Sequence, residues 1–243
     1  MQEKKIKALV TGGTGAIGQA ICLRLAKDAY HVLVHTHQSL QNAQKIVEEI
    51  TLQGGSAEAI AFDVRDSLAC TAALETVLLD SPVQVIVNNA GSNDDAVFAG
   101  MSLQQWKSVL DVSLNGFFNV TQPLMLPMLR TRFGRIINIS SVAALAGNRG
   151  QVNYAAAKAA LHGASKSLAL EVASRGVTVN VVAPGIIASP MTEGIFTEEI
   201  IKQLVPMKRA GTSTEVADLV GFLASKQAAY ISGQIISING GMI

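Results

Sequence analysis

The stretch "NYAAAKAALHG" places Tyr154 and Lys158 four residues apart in a segment with a helical pattern. Side chains at this spacing lie on one helix face and can reach each other. Tyrosine has a pKa of about 10, so it exchanges its proton readily at neutral pH only if a nearby cation stabilises the phenolate. Lys158 could supply that charge, and Tyr154 could then protonate a carbonyl oxygen during reduction. The spacing alone is common on helices and is weak support for this chemistry.

Ser141 comes 13 positions before Tyr154, at the end of the run "GRIINISS", which predicts a strand. Its hydroxyl could donate a hydrogen bond to the same carbonyl oxygen, in an oxyanion-type role. Side chains alternate along a strand, so the neighbouring Ser140 is expected to point the other way.

The stretch "LVTGGTGAIG" follows a short apolar run and opens a helical pattern. Gly12 and Gly18 leave room for a pyrophosphate and for close packing of helix on strand. The start of the helix offers unpaired N–H groups and the positive end of the helix dipole. A tight turn between strand and helix also needs glycine, so the motif alone leaves a purely structural interpretation open.

Short β-branched runs alternate with longer helical patterns along the whole chain, without repeats. The predicted strands are 7–12, 31–36, 58–64, 83–91, 134–141, 177–185 and 234–240, and the predicted helices are 16–28, 39–54, 67–80, 103–130, 152–174 and 214–225. This alternation predicts a doubly wound parallel sheet of about seven strands, with helices on both faces, in one α/β domain over residues 1–243. We expect a cofactor half at about 1–100 and a catalytic half at about 101–243. The irregular segment at about 185–212 predicts a lid over the cleft, because ligands bind beyond the carboxyl ends of such strands.

Composition narrows the function classes. The net charge is +1 and only 15% of residues are charged, which argues against a nucleic-acid partner. The charged start "MQEKK" precedes an apolar run too short for a signal peptide or a membrane span, so a cytoplasmic protein without membrane association is expected. Cys22 and Cys70 lack ligand-like spacing and are expected to be reduced and buried. No metal site is expected, because His35 and His37 have no apparent third ligand.

These motifs together resemble the short-chain dehydrogenase/reductase family, with its Rossmann-type fold, and most closely its 3-oxoacyl-[acyl-carrier-protein] reductases. "FDV" at 62–64, "NNAG" at 88–91 and "APGII" at 183–187 follow the glycine stretch at successive strand ends, and the spacing of Ser141, Tyr154 and Lys158 matches the family's catalytic set. The resemblance implies that the cofactor is bound by Gly12, Thr14, Gly15, Ala16, Ile17, Gly18, His35, Thr36, His37, Asp63, Val64, Asn89, Ala90, Gly91, Tyr154, Lys158, Pro184, Gly185 and Ile187.

NADP(H) is the expected cofactor. The second strand ends in "VLVHTHQS", where Thr36 occupies the position at which NAD users of the family carry an aspartate. A 2′-phosphate is therefore tolerated, and His35, His37 and Ser39 could donate hydrogen bonds to it. Against this, the glycine stretch lacks the arginine or lysine that many NADP users have there, and the two histidines could simply end an exposed strand.

The segment "DVSLNGFF", 111–118, departs from the family. The family's fourth catalytic residue is the asparagine of Asn-Leu-x-Gly-x-Phe, and Ser113 occupies its position here. Asn115 falls two residues later, which on a helix is a rotation of roughly 200°. In the family this amide holds a water that connects the lysine to solvent. Ser113 is expected to do this less well, because a hydroxyl reaches less far and bridges fewer partners.

The resemblance implies reduction of a 3-oxoacyl thioester on acyl carrier protein to the 3-hydroxyacyl thioester, with NADPH, in fatty acid synthesis. The carrier is acidic, so a basic docking spot should flank the cleft. Arg132 and Arg175 match docking positions of the family, with Arg130 as further support, although solvated arginines at helix ends are an equal alternative. A homotetramer is expected, with interfaces on helices 103–130 and 152–174 and on the last strand.

Three other assignments stay open. Another NADP-linked reductase, acting on a free ketone, a sugar or a CoA thioester, would share the same residues. "NVTQPLMLPML" and "GNRGQVNY" also suit reductases of specialised aryl-polyene or polyketide assembly. A non-enzymatic module that only binds the cofactor gains support from Ser113 and loses it from the intact serine, tyrosine and lysine.

Overall fold

Parallel strands form one sheet in the order β3-β2-β1-β4-β5-β6-β7. The computed structural model describes residues 5–189 and 196–243. The strands are β1 (Lys7–Val10), β2 (His31–Thr36), β3 (Ser56–Ala61), β4 (Val83–Asn88), β5 (Gly134–Ile139), β6 (Val177–Pro184) and β7 (Ile235–Ile238). Every predicted strand is confirmed. The strand order reverses between β1 and β4, and ligands of such sheets bind at that point beyond the carboxyl ends.

Helices cover both faces of this sheet. They are α1 (Ala16–Lys27), α2 (Leu40–Leu52), α3 (Ser67–Leu78), α4 (Leu103–Leu110), α5 (Gly116–Thr131), α6 (Ala143–Ala146), α7 (Val152–Val172), α8 (Glu198–Leu204) and α9 (Ser213–Ala224). Alternate residues of β1 show the two layers: Ala8 and Val10 pack in the core under α1, α2 and α9, whereas Leu9 packs in the core under α3 and α5. The doubly wound α/β fold with a single domain is therefore as predicted. Among the described residues, no helix is both long and apolar enough to cross a membrane.

Local sequence signals set several helix starts. Asp66 begins α3 by accepting hydrogen bonds from the backbone N–H groups of Leu68 and Ala69, both at 3.0 Å. Ser102 and Gln105 form a capping box at α4. Side-chain oxygens at these positions satisfy N–H groups that have no partner within the helix.

The predicted helix 103–130 is interrupted by a π-helical turn at Asp111–Asn115, between α4 and α5. A π turn inserts an extra residue into the helix and is frequent at functional sites. Directly after it, Gly116 approaches the end of β3 so closely that a Cβ on this glycine would lie 3.0 Å from Val64 Cγ2.

The predicted lid at 185–212 is described except for residues 190–195, which lie outside the described residues. Its two ends run side by side, because Ala188 N donates to Gly211 O and Gly211 N donates to Ile186 O, both at 2.9 Å. Between them lies α8, which Thr197 caps by accepting a hydrogen bond from Ile200 N. Closure of this segment over a ligand stays a prediction, as do the boundaries of the two halves of the domain.

Candidate active site

Ser141, Tyr154 and Lys158 lie together at the carboxyl edge of the sheet. Ser141 follows β5, and its hydroxyl is close enough to Tyr154, in the first turn of α7, to lower the pKa of the phenol. One turn further, Lys158 Nζ donates to Ile139 O at 2.9 Å and lies 5.8 Å from the centroid of the Tyr154 ring. A hydroxyl, a phenol and an ammonium group therefore converge at the end of β5.

Burial sets the proton affinities of this group. It lowers the pKa of Lys158 to about 8, because the ammonium group loses its water. It also raises the pKa of Tyr154; the hydrogen bond with Ser141 opposes this effect, and the charge of Asp95 adds to it. At neutral pH the tyrosine is therefore protonated and the lysine is mainly charged, which is the state needed to donate a proton to an oxygen that becomes anionic.

Asn153 fixes the first turn of α7, and the sequence reasoning missed it. It is fully buried; its amide donates to Asp94 O at 2.9 Å and Gln105 O at 3.0 Å, and its Oδ1 accepts from Tyr154 N at 2.8 Å. Asn153 thus ties the catalytic turn to the loop after β4 and to α4. The asparagine directly before the tyrosine in the sequence was the signal that could have indicated this role.

Ser140 has a different surrounding from Ser141, as expected. It is buried, and its hydroxyl contacts Lys158 O at 3.2 Å and His162 Nε2 at 2.7 Å. Ser141 Oγ instead accepts from Ala143 N at 3.2 Å. Ser140 therefore supports the backbone of α7, while Ser141 faces the tyrosine.

Ser113 lies in the π-helical turn and is 3% exposed, and its hydroxyl has no hydrogen-bond partner within residues 5–189 and 196–243. A Cβ added to Gly91 would lie 2.9 Å from Lys158 Nζ and 3.7 Å from Ser113 Oγ. Both polar groups thus border the same small space beside Gly91. Asn115, in contrast, is exposed and donates to Asp111 Oδ1 at 2.7 Å, so it faces away from the lysine.

The glycine loop between β1 and α1 has the shape of a dinucleotide cradle. Gly12 has φ +62°, and a Cβ on Gly18 would lie 2.1 Å from Gly12 O, so both positions require glycine. Gly15, the N-cap of α1, has no side chain to cap the first turn, which Ala16 and Ile17 begin. Its N–H groups therefore face an anion site that fits a pyrophosphate. Thr14 is half-buried in this loop, and Gly15 and Ala16 are exposed.

The loop after β4 supports this cradle. Asn89 donates from Nδ2 to Thr11 O and to Gly12 O, both at 3.0 Å. The backbone N–H groups of Asn89 and Ala90 donate to Thr11 Oγ1, also at 3.0 Å. The contacts of Asn89 are therefore with the loop that would hold the pyrophosphate.

The end of β2 corrects one expectation. His35 is 1% exposed; its Nδ1 accepts from Gly12 N at 3.1 Å and its Nε2 lies 2.9 Å from Phe62 O. With both ring nitrogens in use and no access to solvent, His35 has no donor for a 2′-phosphate, so that part of the prediction is wrong. Thr36 is also buried, whereas His37 is exposed. Ser39 accepts from Asn42 N at 3.4 Å and caps α2.

Asp63 and Val64 form the wall beyond β3 that was predicted to meet the adenine. Arg65, which the sequence reasoning missed, donates to both Asp63 oxygens at 2.6–3.0 Å. These bonds hold the pKa of Asp63 down to about 2. His37 Nε2 lies 3.4 Å from the same carboxylate. Val64 is buried, and its carbonyl accepts from Asn119.

Pro184 ends β6 beside the catalytic edge, and Gly185 and Ile187 follow it. Val142 N, one residue after Ser141, donates to Pro184 O at 2.7 Å. A Cβ on Gly185 would lie 2.8 Å from Asn239 Cα, so only glycine fits between the ends of β6 and β7. Ile187 bridges to Gly211 and borders a 400 Å³ cavity below the lid segment.

Arg132 and Arg175 lie at the other end of the molecule, which corrects a second expectation. Both are exposed and neighbouring, since Arg132 Nη2 donates to Ser174 O at 3.4 Å. They precede β5 and β6, whereas Ser141 follows β5. The 21 residues of α7 separate Tyr154 from Arg175 by roughly 30 Å. These arginines therefore do not flank the cleft of their own chain.

A family model described as short chain dehydrogenase matches residues 6–200, so the chain belongs to this family. Among the relatives, the 3-oxoacyl-[acyl-carrier-protein] reductase FabG of Staphylococcus aureus is 44% identical over 239 residues, covering 97% of both chains. The reductase of the same name from Aggregatibacter actinomycetemcomitans is 41% identical over 96% of this chain and 98% of its own. The 3-oxoacyl-[acyl-carrier-protein] reductase of a Synechocystis species is 44% identical over 97% of this chain and 96% of its own.

Proposed function

We propose that this protein reduces the 3-oxo group of an acyl thioester carried on acyl carrier protein, with NADPH, as a step of fatty acid synthesis. The observation that carries the proposal is the convergence of Ser141, Tyr154 and Lys158 at the carboxyl edge of the sheet, in a chain that matches such reductases over nearly its whole length. A module that only binds the cofactor would have no use for a buried ammonium group beside a protonated tyrosine.

NADPH supplies the hydride when it is bound. Tyr154 then gives its proton to the 3-oxo oxygen, and Ser141 donates a hydrogen bond that stabilises the same oxygen as charge develops on it. The Lys158 ammonium group lowers the cost of the phenolate that Tyr154 becomes. Ser113 and Lys158 border the space beside Gly91, where a water would return a proton to this group.

The cofactor fits the loop of Gly12 to Gly18, with the adenine against Asp63 and Val64. The preference for NADPH is supported by Thr36, which puts no carboxylate at the end of β2. His37 is exposed there and takes the role of donor to the 2′-phosphate, with Ser39 beside it. Arg65 neutralises Asp63, so this carboxylate repels a phosphate less than a free one would.

Carrier docking and assembly are connected in this proposal. Arg132 and Arg175 can guide an acidic carrier to a cleft only if that cleft belongs to a neighbouring subunit. We therefore propose a homo-oligomer, a tetramer, in which the exposed apolar side chains of α5 and α7, such as Phe118, Leu126 and Leu170, are covered by a second copy. Cys22 and Cys70 are free and buried, in keeping with a reducing, cytoplasmic location.

Steady-state assays of acetoacetyl thioesters on carrier protein and on CoA, each with NADPH and NADH, test the proposal. We expect the carrier-bound substrate and NADPH to give the highest kcat/KM, and Tyr154→Phe to lose nearly all activity, because the acid is removed. Undiminished ketone reduction by Tyr154→Phe would contradict the mechanism. A higher kcat/KM with the CoA thioester would contradict the assignment of a carrier-bound substrate.

A further inference from the structure

We propose that His35 is a positioning residue for the cofactor: it fastens the pyrophosphate loop to the wall of the adenine site. This inference rests on the proposed use of a dinucleotide and adds a role for a residue that does not contact it. The side chain is 1% exposed, under the loop rather than in the cleft.

His35 binds two successive amides of the loop. Gly12 N donates to the ring Nδ1 at 3.1 Å, and Gly13 N donates to the His35 carbonyl at 2.8 Å. The carbonyls of the same two peptide groups are held as well, because Thr11 O and Gly12 O both accept from Asn89 Nδ2 at 3.0 Å. Both peptide groups are therefore fixed in orientation by bonds from β2 on one side and from the loop after β4 on the other.

The hydrogen bonds of the His35 ring define its tautomer and its charge. Gly12 N is a donor, so Nδ1 must accept; Phe62 O is an acceptor, so Nε2 must carry the hydrogen. The ring is therefore neutral. Burial lowers the pKa of His35 to about 4; the bond to Phe62 and the charge of Asp63 oppose this effect, and His37 adds to it. The bond to Gly12 N thus persists at neutral pH.

The imidazole connects the glycine loop with the residues predicted to meet the adenine. Phe62 directly precedes Asp63 and Val64, the wall predicted to meet the adenine, and its ring lies 4.1 Å from that of His35. One side chain therefore sets the spacing between the site of the pyrophosphate and the site of the adenine. Two sites that bind connected parts of one ligand bind it more tightly when the spacing between them is fixed beforehand.

Two substitutions separate the two bonds. His35→Asn keeps an acceptor at the position of Nδ1 and loses the donor at the position of Nε2. His35→Gln can place a donor near Phe62 O and loses the acceptor for Gly12 N. The measurements are the NADPH dissociation constant, from nicotinamide fluorescence without a carbonyl substrate, the rate of amide hydrogen exchange at Gly12, and the urea midpoint of unfolding.

We expect His35→Gln to raise the NADPH dissociation constant about tenfold, because the Gly12 amide is left unsatisfied, and to accelerate exchange at this amide. His35→Asn should stay within about threefold of the unchanged protein in both readouts, even though it also loses core packing. His31→Gln is the matched control, because His31 lies at the other end of β2, where its Nδ1 contacts Ser56 Oγ at 2.7 Å. It should not change NADPH binding.

Either of two results would overturn the proposal: His35→Gln binding NADPH as tightly as the unchanged protein, or His35→Asn weakening binding as much as His35→Gln. If the loss of NADPH affinity were proportional to the loss of stability in urea across all three variants, His35 would be a packing residue only. The proposal would then be wrong. If the unchanged protein bound no NADPH, the proposed function would fail, whereas exchange at Gly12 would still decide whether His35 anchors the loop.

Discussion

At the scale of single residues, the catalytic group depends on how little water reaches it. Lys158 donates to one backbone carbonyl, and its burial lowers its pKa to about 8. Ser113 borders the same space beside Gly91, and its hydroxyl has no hydrogen-bond partner among the described residues. We expect a serine at this position, where the family's pattern has asparagine, to leave the ammonium group poorly solvated.

The kcat of reduction should fall as the pH rises through about 8, because Lys158 becomes neutral and no longer stabilises the phenolate of Tyr154. Below that pH the lysine is charged and the rate is at its plateau. Ser113→Asn should raise kcat several-fold and move this alkaline limb to higher pH, because a water held by the amide solvates the ammonium group. The measurement is kcat for an acetoacetyl thioester between pH 6 and 10.

Asn115→Ser is the matched control for this change, because Asn115 is exposed on the same turn and contacts Asp111. It should leave both the rate and the profile unchanged. An unaltered profile in Ser113→Asn would show that Ser113 takes no part in proton transfer.

At the scale of elements, the sequence pattern was sufficient to predict the strands of the sheet. It was not sufficient to predict the details of the site. Buried β-branched runs predict all seven strands because these strands are covered on both faces. The π-helical turn at Asp111–Asn115 was not predicted, because one extra residue in a helix hardly changes the apolar pattern. The role of His35 was not predicted either: a polar residue near a strand end has the same pattern whether it meets solvent or a neighbouring loop.

Substitution of Gly18 in the glycine loop should weaken both the fold and cofactor binding. Gly18→Ala puts a Cβ 2.1 Å from the backbone oxygen of Gly12, which cannot move without breaking its bond to Asn89. We expect about 1–3 kcal/mol of lost stability and a large loss of NADPH affinity. Urea unfolding and fluorescence titration measure the two effects.

Gly15→Ala is the control within the same loop, because its Cβ would lie 3.5 Å from Gly12 O, an ordinary contact. It should leave the stability nearly unchanged. Equal destabilisation by both substitutions would mean that close packing of α1 on the loop is not the reason for glycine at position 18.

At the scale of the whole molecule, the direction of the strands separates the two sets of predicted site residues. Residues that follow parallel strands share one edge of the sheet, as Ser141, Asn89 and Gly185 do, and residues that precede them share the opposite edge. The positions of Arg132 and Arg175 before β5 and β6 already implied that they lie away from the cleft. The resemblance to docking residues hid this consequence of the topology.

Docking on a neighbouring subunit predicts complementation between two defective chains. Arg132→Glu should lower kcat/KM for the carrier-bound substrate at least about fivefold and leave the CoA thioester unaffected, because only the acidic carrier needs the basic surface. Tyr154→Phe should be inactive with both.

In mixed oligomers, a subunit with Arg132→Glu keeps its tyrosine and can use the intact arginines of a neighbour with Tyr154→Phe. The activity on the carrier substrate, per intact tyrosine, should therefore rise above that of the Arg132→Glu oligomer, whereas the activity on the CoA thioester should not. Equal carrier activity per intact tyrosine in mixed and unmixed samples would contradict docking between subunits, since an arginine acting within its own chain gains nothing from a neighbour.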